Sequence, residues 1–320
     1  MHKILVIGAA GQIGTDLTLT LRKYFGNESV IAADIKYPSD EVLDSGIFEQ
    51  VDVMNKKDLV EVIHQNNISQ IYHLAAILSG KAEENPMFSW QLNMEGLFNV
   101  LNAAKENQIT KIFWPSSIAA FGLRSKKTNT PQWDVMDPNT VYGISKIAGE
   151  RWIAYYNQKY DMDIRSIRYP GLISYKTNAG GGTTDYAVEI FYDAIQKQKY
   201  TCFLKEDTIL PMMYMDDAIR ATIELMEADK SKLTIDNAYN LASISFAPKD
   251  LAAEIKQIIP NFEITYNPDF RQAIAETWPQ SIDDSQAQKD WGWKSKIGLK
   301  KMTQVMILEI SKKIKKQTSV

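Results

Sequence analysis

The sequence predicts an α/β protein: a Rossmann-type doubly wound parallel sheet with a smaller C-terminal substrate-binding region. Three observations carry that expectation. Apolar runs alternate with amphipathic stretches through the first half of the 320 residues, and a glycine pattern joins the first run to the first helix. After "DIRSIRYPG" the alternation loosens into glycines, prolines and short elements.

The elements follow in order. "KILVIGA" is short, continuous and apolar, as a strand buried on both faces must be. A helix is expected over Gln12 to Tyr24, then the strand "SVIAADI", a helix over Lys56 to Gln65, and the strand "QIYHLAA". A long helix over Met87 to Glu106, the strand "KIFWPSS" and a helix over Thr140 to Tyr160 complete the βαβ rhythm. Residues 1–170 form the first unit, with 209–245 returning to it through the strand-like "AYNLAS"; 171–208 and 246–320 form the second, over the C-terminal edge of the sheet. No internal repeat or low-complexity linker interrupts the chain.

Composition narrows the function. Thirty-six Lys and Arg against 39 Asp and Glu leave a net charge of -3, with no basic footprint for nucleic acid and no polybasic membrane anchor. The basic "SKKIKKQTSV" reads as a solvated helix end. One cysteine, Cys202, excludes an intrachain disulfide and points to a cytoplasmic setting. The three histidines, His2, His64 and His73, show no metal-ligand spacing, so no metal site is expected. The N-terminal apolar run is too short for a signal-peptide core, and no run is long enough to span a bilayer.

"ILVIGAAGQIGTDL" places Gly8, Gly11 and Gly14 directly after a strand and at the opening of a helix. That context gives the pattern its meaning: Gly8 for the tight turn, Gly11 for close approach of a pyrophosphate to backbone N–H groups, Gly14 for helix-to-strand packing. Gln12 and Ile13 present the helix N-terminus. Asp34 closes the second strand twenty residues past Gly14, where a carboxylate accepts from ribose hydroxyls and repels a 2'-phosphate, so the expected cofactor is NAD. Lys36 weakens the exclusion of phosphate slightly. Asp52, with Val53 beside it, is a candidate neighbour of the adenine.

Tyr142 and Lys146, four apart on a helix, share one face. A tyrosine titrates near 10, so a base useful at neutral pH needs its pKa lowered by roughly three, about 4 kcal/mol of differential stabilisation. A neighbouring ammonium and the positive nicotinamide ring are both expected to push that way. Ser116 and Ser117 end an apolar strand, where a parallel sheet presents residues to its ligand crevice.

With these residues in place, the sequence resembles an extended short-chain dehydrogenase/reductase. The match rests on Gly8, Gly11 and Gly14, Asp34, "HLAA" at His73 to Ala76, Asn93, Ser117, Tyr142, Lys146 and "RYPG" at Arg168 to Gly171. The resemblance implies that Ser117 positions the reacting hydroxyl, Tyr142 transfers its proton, and Lys146 lowers the tyrosine pKa while holding the nicotinamide ribose. Leu74, Ala75, Ala76, Asn93, Ser116, Tyr169 and Leu172 join the expected cofactor wall, and His73 packs. The sugar 4,6-dehydratases of this family carry an acidic pair where this chain has Ile118 and Ala119, so dehydration lacks its acid and base. Phe121 stands where tyrosine is commoner. The family also implies a homodimer, through helices near Trp90 to Leu101 and Tyr142 to Tyr156.

Past Arg168 only Arg220 and Arg271 are arginines, few for a nucleotide-sugar diphosphate, so a small substrate is expected. The stretches "AGGGTTDYAVEIF", "ILSGKAEENP" and "AETWPQSIDDS" resemble the L-threonine 3-dehydrogenase branch of this superfamily. That resemblance implies oxidation of L-threonine at C3 to 2-amino-3-ketobutyrate. Ser79, Thr183, Thr184 and Trp278 are the candidate substrate wall beside Ser117 and Tyr142, and Gly180, Gly181 and Gly182 offer close backbone approach or a hinge. A capped helix start at Thr184 or Asp185 is the plainer reading of the same stretch. The alternatives are a nucleotide-sugar epimerase and a non-catalytic NAD-sensing protein.

Overall fold

Short runs rich in valine, isoleucine and alanine, alternating with amphipathic helices, build the sheet and both of its coats. The computed structural model describes residues 3–177 and 180–318. His2, and Asn178 and Ala179 just before the glycine triplet, lie outside the described residues. The order is β1 (Ile4–Ile7), α1 (Gln12–Phe25), β2 (Val30–Asp34), α2 (Asp40–Asp44), β3 (Phe48–Gln50), α3 (Lys56–Asn66), β4 (Gln70–His73), α4 (Ser79–Ala82), α5 (Pro86–Glu106), β5 (Lys111–Phe113), β6 (Ser116–Ser117), α6 (Val141–Tyr160), β7 (Asp163–Arg165), β8 (Ile167–Tyr169) and β9 (Gly171–Ile173). There follow α7 (Tyr186–Lys197), β10 (Lys199–Cys202), β11 (Leu210–Tyr214), α8 (Met215–Glu227), β12 (Tyr239–Asn240), β13 (Ile244–Phe246), α9 (Pro248–Lys256), β14 (Glu263–Tyr266), α10 (Phe270–Ala275), α11 (Ser285–Trp291) and α12 (Leu299–Thr318).

The central sheet is parallel with order β3-β2-β1-β4-β5-β7. Its order reverses between β1 and β4, which is where an open α/β sheet offers a crevice at its C-terminal edge. Alternate residues feed opposite coats: Ile4, Val6, Val30 and Ala32 pack with Leu17, Leu21 and Leu225, whereas Leu5, Ile7, Ile31 and Ala33 pack with Leu59, Leu97 and Ile153. A third apolar cluster gathers Ile190 and Phe191 of α7, Leu251 of α9, Ile274 of α10 and Met306 of α12 with Tyr142 and Ile118, and so closes over the crevice.

The strand expected over "KIFWPSS" is two strands. Pro115 has no N–H to donate to a ladder; β5 pairs with β7, and after the break Ser116 and Ser117 pair with Arg168 and Tyr169 of β8. "AYNLAS" contains β12, which lies outside the six-stranded sheet, in a three-stranded sheet of order β12-β8-β6 with Tyr239 beside Ile167. Thr140, expected as the first residue of a helix, is its cap, its Oγ1 accepting from Gly143 N at 3.1 Å. A Cβ on Gly143 would lie 2.2 Å from Ala119 O, so glycine lets α6 begin against the turn that follows Ser117. No helix among the described residues is long and apolar enough to cross a membrane.

Candidate active site

One cleft runs from the glycine turn, past Ser117 and Tyr142, to Thr184 and Trp278. At its cofactor end Gly8 has φ +89°, and a Cβ there would sit 2.7 Å from Ala75 N. A Cβ on Gly14 would fall 2.0 Å from Gly8 O, so α1 meets the turn without side chains between them. No side chain caps the N-terminus of α1, and Gln12 Nε2 is buried without a partner among the described residues. Open helix-start donors and a buried unused amide, beside a turn with no room for side chains, fit a pyrophosphate. Asp34 is held by two backbone amides: Ala10 N donates to Oδ2 at 2.9 Å and Lys36 N to Oδ1 at 3.0 Å. The residues present therefore fit a dinucleotide.

The chemical end is set by α6 against β6. Tyr142 is buried, and Ser117 lines the cleft beside its phenol and favours the phenolate. Lys146 Nζ donates to Pro115 O at 2.7 Å and lies 4.4 Å from the centroid of the Trp114 ring and 5.4 Å from that of Tyr142. The protein's own groups do not by themselves lower the tyrosine. Burial pushes the Tyr142 phenol up to about 12, against a smaller downward pull from Ser117. Burial also drives Lys146 down to about 7, with Glu150 pulling the other way. Desolvation thus outweighs the attraction expected from the i, i+4 spacing, because each charged form would have to leave water. His73 is buried with both ring nitrogens unpaired among the described residues, and burial together with the Lys146 charge lowers it to about 3, so it is a neutral packing residue.

At the far end the glycine triplet is tied down. Ser79 and Thr183 hydroxyls are 3.0 Å apart, Thr183 N donates to Ser79 Oγ at 3.2 Å, and Lys81 N donates to Gly181 O at 3.1 Å. A Cβ on Gly80 would meet Gly181 O at 2.8 Å, so α4 packs directly on the loop. Asp185 makes no side-chain cap to α7; its Oδ2 instead accepts from Gly181 N and Gly182 N, each at 2.7 Å. Burial raises the Asp185 carboxyl, and the loop amides partly restrain it.

Residues 4–242 match a family described as the NAD dependent epimerase/dehydratase family. The chain belongs to that family. An uncharacterised epimerase/dehydratase of Staphylococcus haemolyticus is 46% identical over 98% of this chain and 99% of its own length. Among solved structures, a partial consensus L-threonine 3-dehydrogenase is 53% identical, with 97% of this chain and 99% of that one covered at a TM-score of 0.95. A GalE-like L-threonine dehydrogenase from Cupriavidus necator, in its holo form, is 51% identical over 96% of this chain and 99% of that one, at 0.94. A protein described as a monomeric L-threonine 3-dehydrogenase, from a metagenome, is 47% identical over 97% and 99%, at 0.93. The family chemistry uses NAD, and this chain is an NAD-dependent oxidoreductase.

Of the residues singled out from the sequence of this family member, Gly8, Gly11, Gln12, Ile13, Gly14, Leu74, Ala76, Ser79, Ser116, Ser117, Tyr142, Lys146, Tyr169, Leu172, Thr184 and Trp278 line the cleft. Others stand behind it. Ala75 backs Gly8, Val53 packs on Gly96, and Thr183 is fully buried against Ser79. Asn93 fixes the loop at Ile77, accepting from its N at 2.9 Å, and donates to Ser145 Oγ at 3.3 Å. Asp52 accepts from Met54 N at 2.9 Å, within its own turn. Gly182, singled out for close backbone approach, lines the cleft, as do Asp185 and Leu78, which were not chosen as site residues. For Asp185 the signal was present but ambiguous, since an acid at a helix start reads first as a cap. Ile118 lines the cleft and Ala119 is buried beside it, so no acidic pair stands next to Ser117.

Proposed function

We propose that the protein oxidises L-threonine at C3 to 2-amino-3-ketobutyrate. The observation that carries this reading is the Ser117–Tyr142 contact inside a cleft whose far wall is Ser79, Thr184, Asp185 and Trp278. The neighbours described as L-threonine 3-dehydrogenases, aligned over nearly the whole chain, support it. Tyr142 takes the proton of the C3 hydroxyl while Ser117 hydrogen-bonds the same oxygen, and Lys146 supplies the positive charge that makes a buried phenolate tolerable. Gly8, Gly11 and Gly14 with Asp34 hold the dinucleotide, which when bound supplies the hydride acceptor. Ser79 and Thr184 hydroxyls suit the substrate carboxylate, Asp185 suits its ammonium, and Trp278 excludes water. The product is a β-keto acid prone to lose carbon dioxide, which suits a place in threonine breakdown beside an enzyme that consumes it.

Arginine placement argues against a nucleotide-sugar substrate. Arg220 pairs with Asp217 and Glu224, and Arg271 pairs with Asp269 and stacks on Phe203, so neither is free to face a diphosphate in the cleft. The intact Ser117, Tyr142 and Lys146 set argues against a sensor. In this reading 1–170 with 209–245 hold the cofactor and 171–208 with 246–320 hold the substrate. The outer faces of α5 and α6, with Phe88, Ile144, Trp152 and Tyr155 exposed, suit a homodimer. The single cysteine, buried and free, suits the cytoplasm. Tyr142→Phe is expected to abolish threonine-dependent NADH formation while leaving NAD affinity within about twofold, since the phenol but not the cradle is removed. Undiminished turnover in that variant would sink the mechanism.

A further inference from the structure

Three consecutive residues at the strand end meet one face of α6. Pro115 O accepts from Lys146, Ser116 Oγ donates to Glu150 Oε1 at 2.6 Å, and Ser117 lines the cleft beside the Tyr142 phenol. Tyr142, Lys146 and Glu150 are successive i, i+4 positions, so one helical stripe meets one short strand. Glu150 is fully buried, and nothing in the reaction above uses it.

Its carboxylate has several partners. Arg168 Nε donates to Oε1 at 2.9 Å and Nη2 to Oε2 at 2.7 Å, and Asn237 Nδ2 donates to Oε2 at 3.1 Å. Arg168 is anchored in turn by Gln132 O at 2.9 Å and Asn240 Oδ1 at 3.0 Å, and its guanidinium lies over Phe121. The pair is held rigidly from both sides, as a buried ion pair must be to repay its desolvation.

We propose that Glu150, fixed by Arg168, is a positioning residue for proton transfer: through Ser116 it sets the height of Ser117 beside Tyr142, and its negative charge keeps Lys146 cationic at the reaction centre. This rests on the assignment of Tyr142 as the base. The groups facing Lys146 are Tyr142 and Glu150 on its own helix, the neutral His73 at the end of β4, and, behind Glu150, the Arg168 cation on β8. Glu150 is the one carboxylate in that set. Its attraction opposes the burial that discharges Lys146.

The test uses Glu150→Gln, which keeps the shape and removes the charge, and Ser116→Ala, which keeps the ion pair and removes only its link to the strand. Tyrosinate absorbance at 295 nm is titrated on the NAD-bound protein and on its Tyr142→Phe partner, the difference reporting Tyr142 alone. Glu150→Gln is expected to raise the Tyr142 midpoint by about one pH unit and to lower kcat about tenfold near and above neutral pH, because Lys146 then discharges earlier as pH rises and its charge no longer supports the phenolate. Ser116→Ala is expected to leave that midpoint in place and lower kcat several-fold, with KM little changed. An unmoved midpoint in Glu150→Gln together with a kcat within twofold of the parent in Ser116→Ala, whatever the loss of thermal stability, would make Glu150 a structural residue and overturn the proposal. If Glu150→Gln does not fold, Ser116→Ala decides by the same kcat criterion. The titration needs no substrate, so a wrong substrate assignment shows separately, as a parent protein that does not reduce NAD with threonine.

Discussion

Gly149 faces the indole of Trp114, the ring over which the Lys146 ammonium sits. A Cβ at position 149 would lie 2.3 Å from Trp114 Cη2 and 2.6 Å from Cζ2. To reach ordinary contact the ring must retreat by about 1 Å, and Trp114 is buried at 4% exposure with core on its other side. Gly149→Ala is therefore an overpacking change, costing about 1 to 3 kcal/mol and lowering the melting temperature by about 2 to 4 °C. The displaced ring also withdraws a cation–π contact of about 0.5 to 2 kcal/mol from Lys146, so the ammonium is harder to keep as pH rises and turnover near and above neutral pH falls about three- to tenfold. Differential scanning fluorimetry and initial rates of NADH formation measure both. Gly298→Ala is the control, since nothing lies within 4 Å of its would-be Cβ, and it is expected to be neutral. A Gly149→Ala protein with unchanged melting temperature and rate would refute the claim that Trp114 and Gly149 set the Lys146 environment.

Other perturbations probe the remaining parts of the site. Asp34→Ala removes the carboxylate tied to Ala10 and Lys36 amides and is expected to weaken NAD binding at least tenfold while improving relative affinity for NADP, read by fluorescence titration of both cofactors. Because burial depresses Lys146 from 10.5 to about 7, the folded ligand-free protein binds fewer protons than the unfolded chain between those values, and stability from this group rises with pH across that window. Lys146→Met should accordingly gain more over the parent at pH 6 than at pH 9 in urea unfolding; an equal gain at both would contradict the depressed value. Lys127 Nζ donates to Glu276 O, Thr277 O and Trp278 O at 3.1, 2.7 and 3.3 Å, pinning the turn that carries Trp278. Lys127→Met is expected to raise KM for threonine about five- to tenfold with NAD affinity unchanged, in steady-state kinetics, as three carbonyls lose their donor.

What could be read in the sequence was local. Gly8, Gly11 and Gly14 announce a turn because their spacing and the strand before them are contiguous, and Tyr142 with Lys146 needs only the pitch of a helix. The helices expected over Lys56 to Gln65 and Met87 to Glu106 differ from α3 and α5 by a single residue at an end. Long-range contacts were not legible. Ser79 meets Thr183 across 104 positions and Asn237 meets Glu150 across 87, and no spacing rule relates such pairs. The burial of Tyr142 was not legible for a related reason: sequence spacing names a neighbouring charge but not the depth of burial, and burial is the larger effect among the protein's own groups. The short α2, β3 and α4 carry too few residues to show a period.

The central claim is tested most directly by following absorbance at 340 nm with purified protein, NAD and L-threonine, against UDP-glucose and substrate-free controls. The account predicts a threonine-dependent rise that is lost with Tyr142→Phe. No rise with threonine, accompanied by conversion of UDP-glucose without net reduction of added NAD, would contradict it and make the cleft between Ser79 and Trp278 a nucleotide-sugar site.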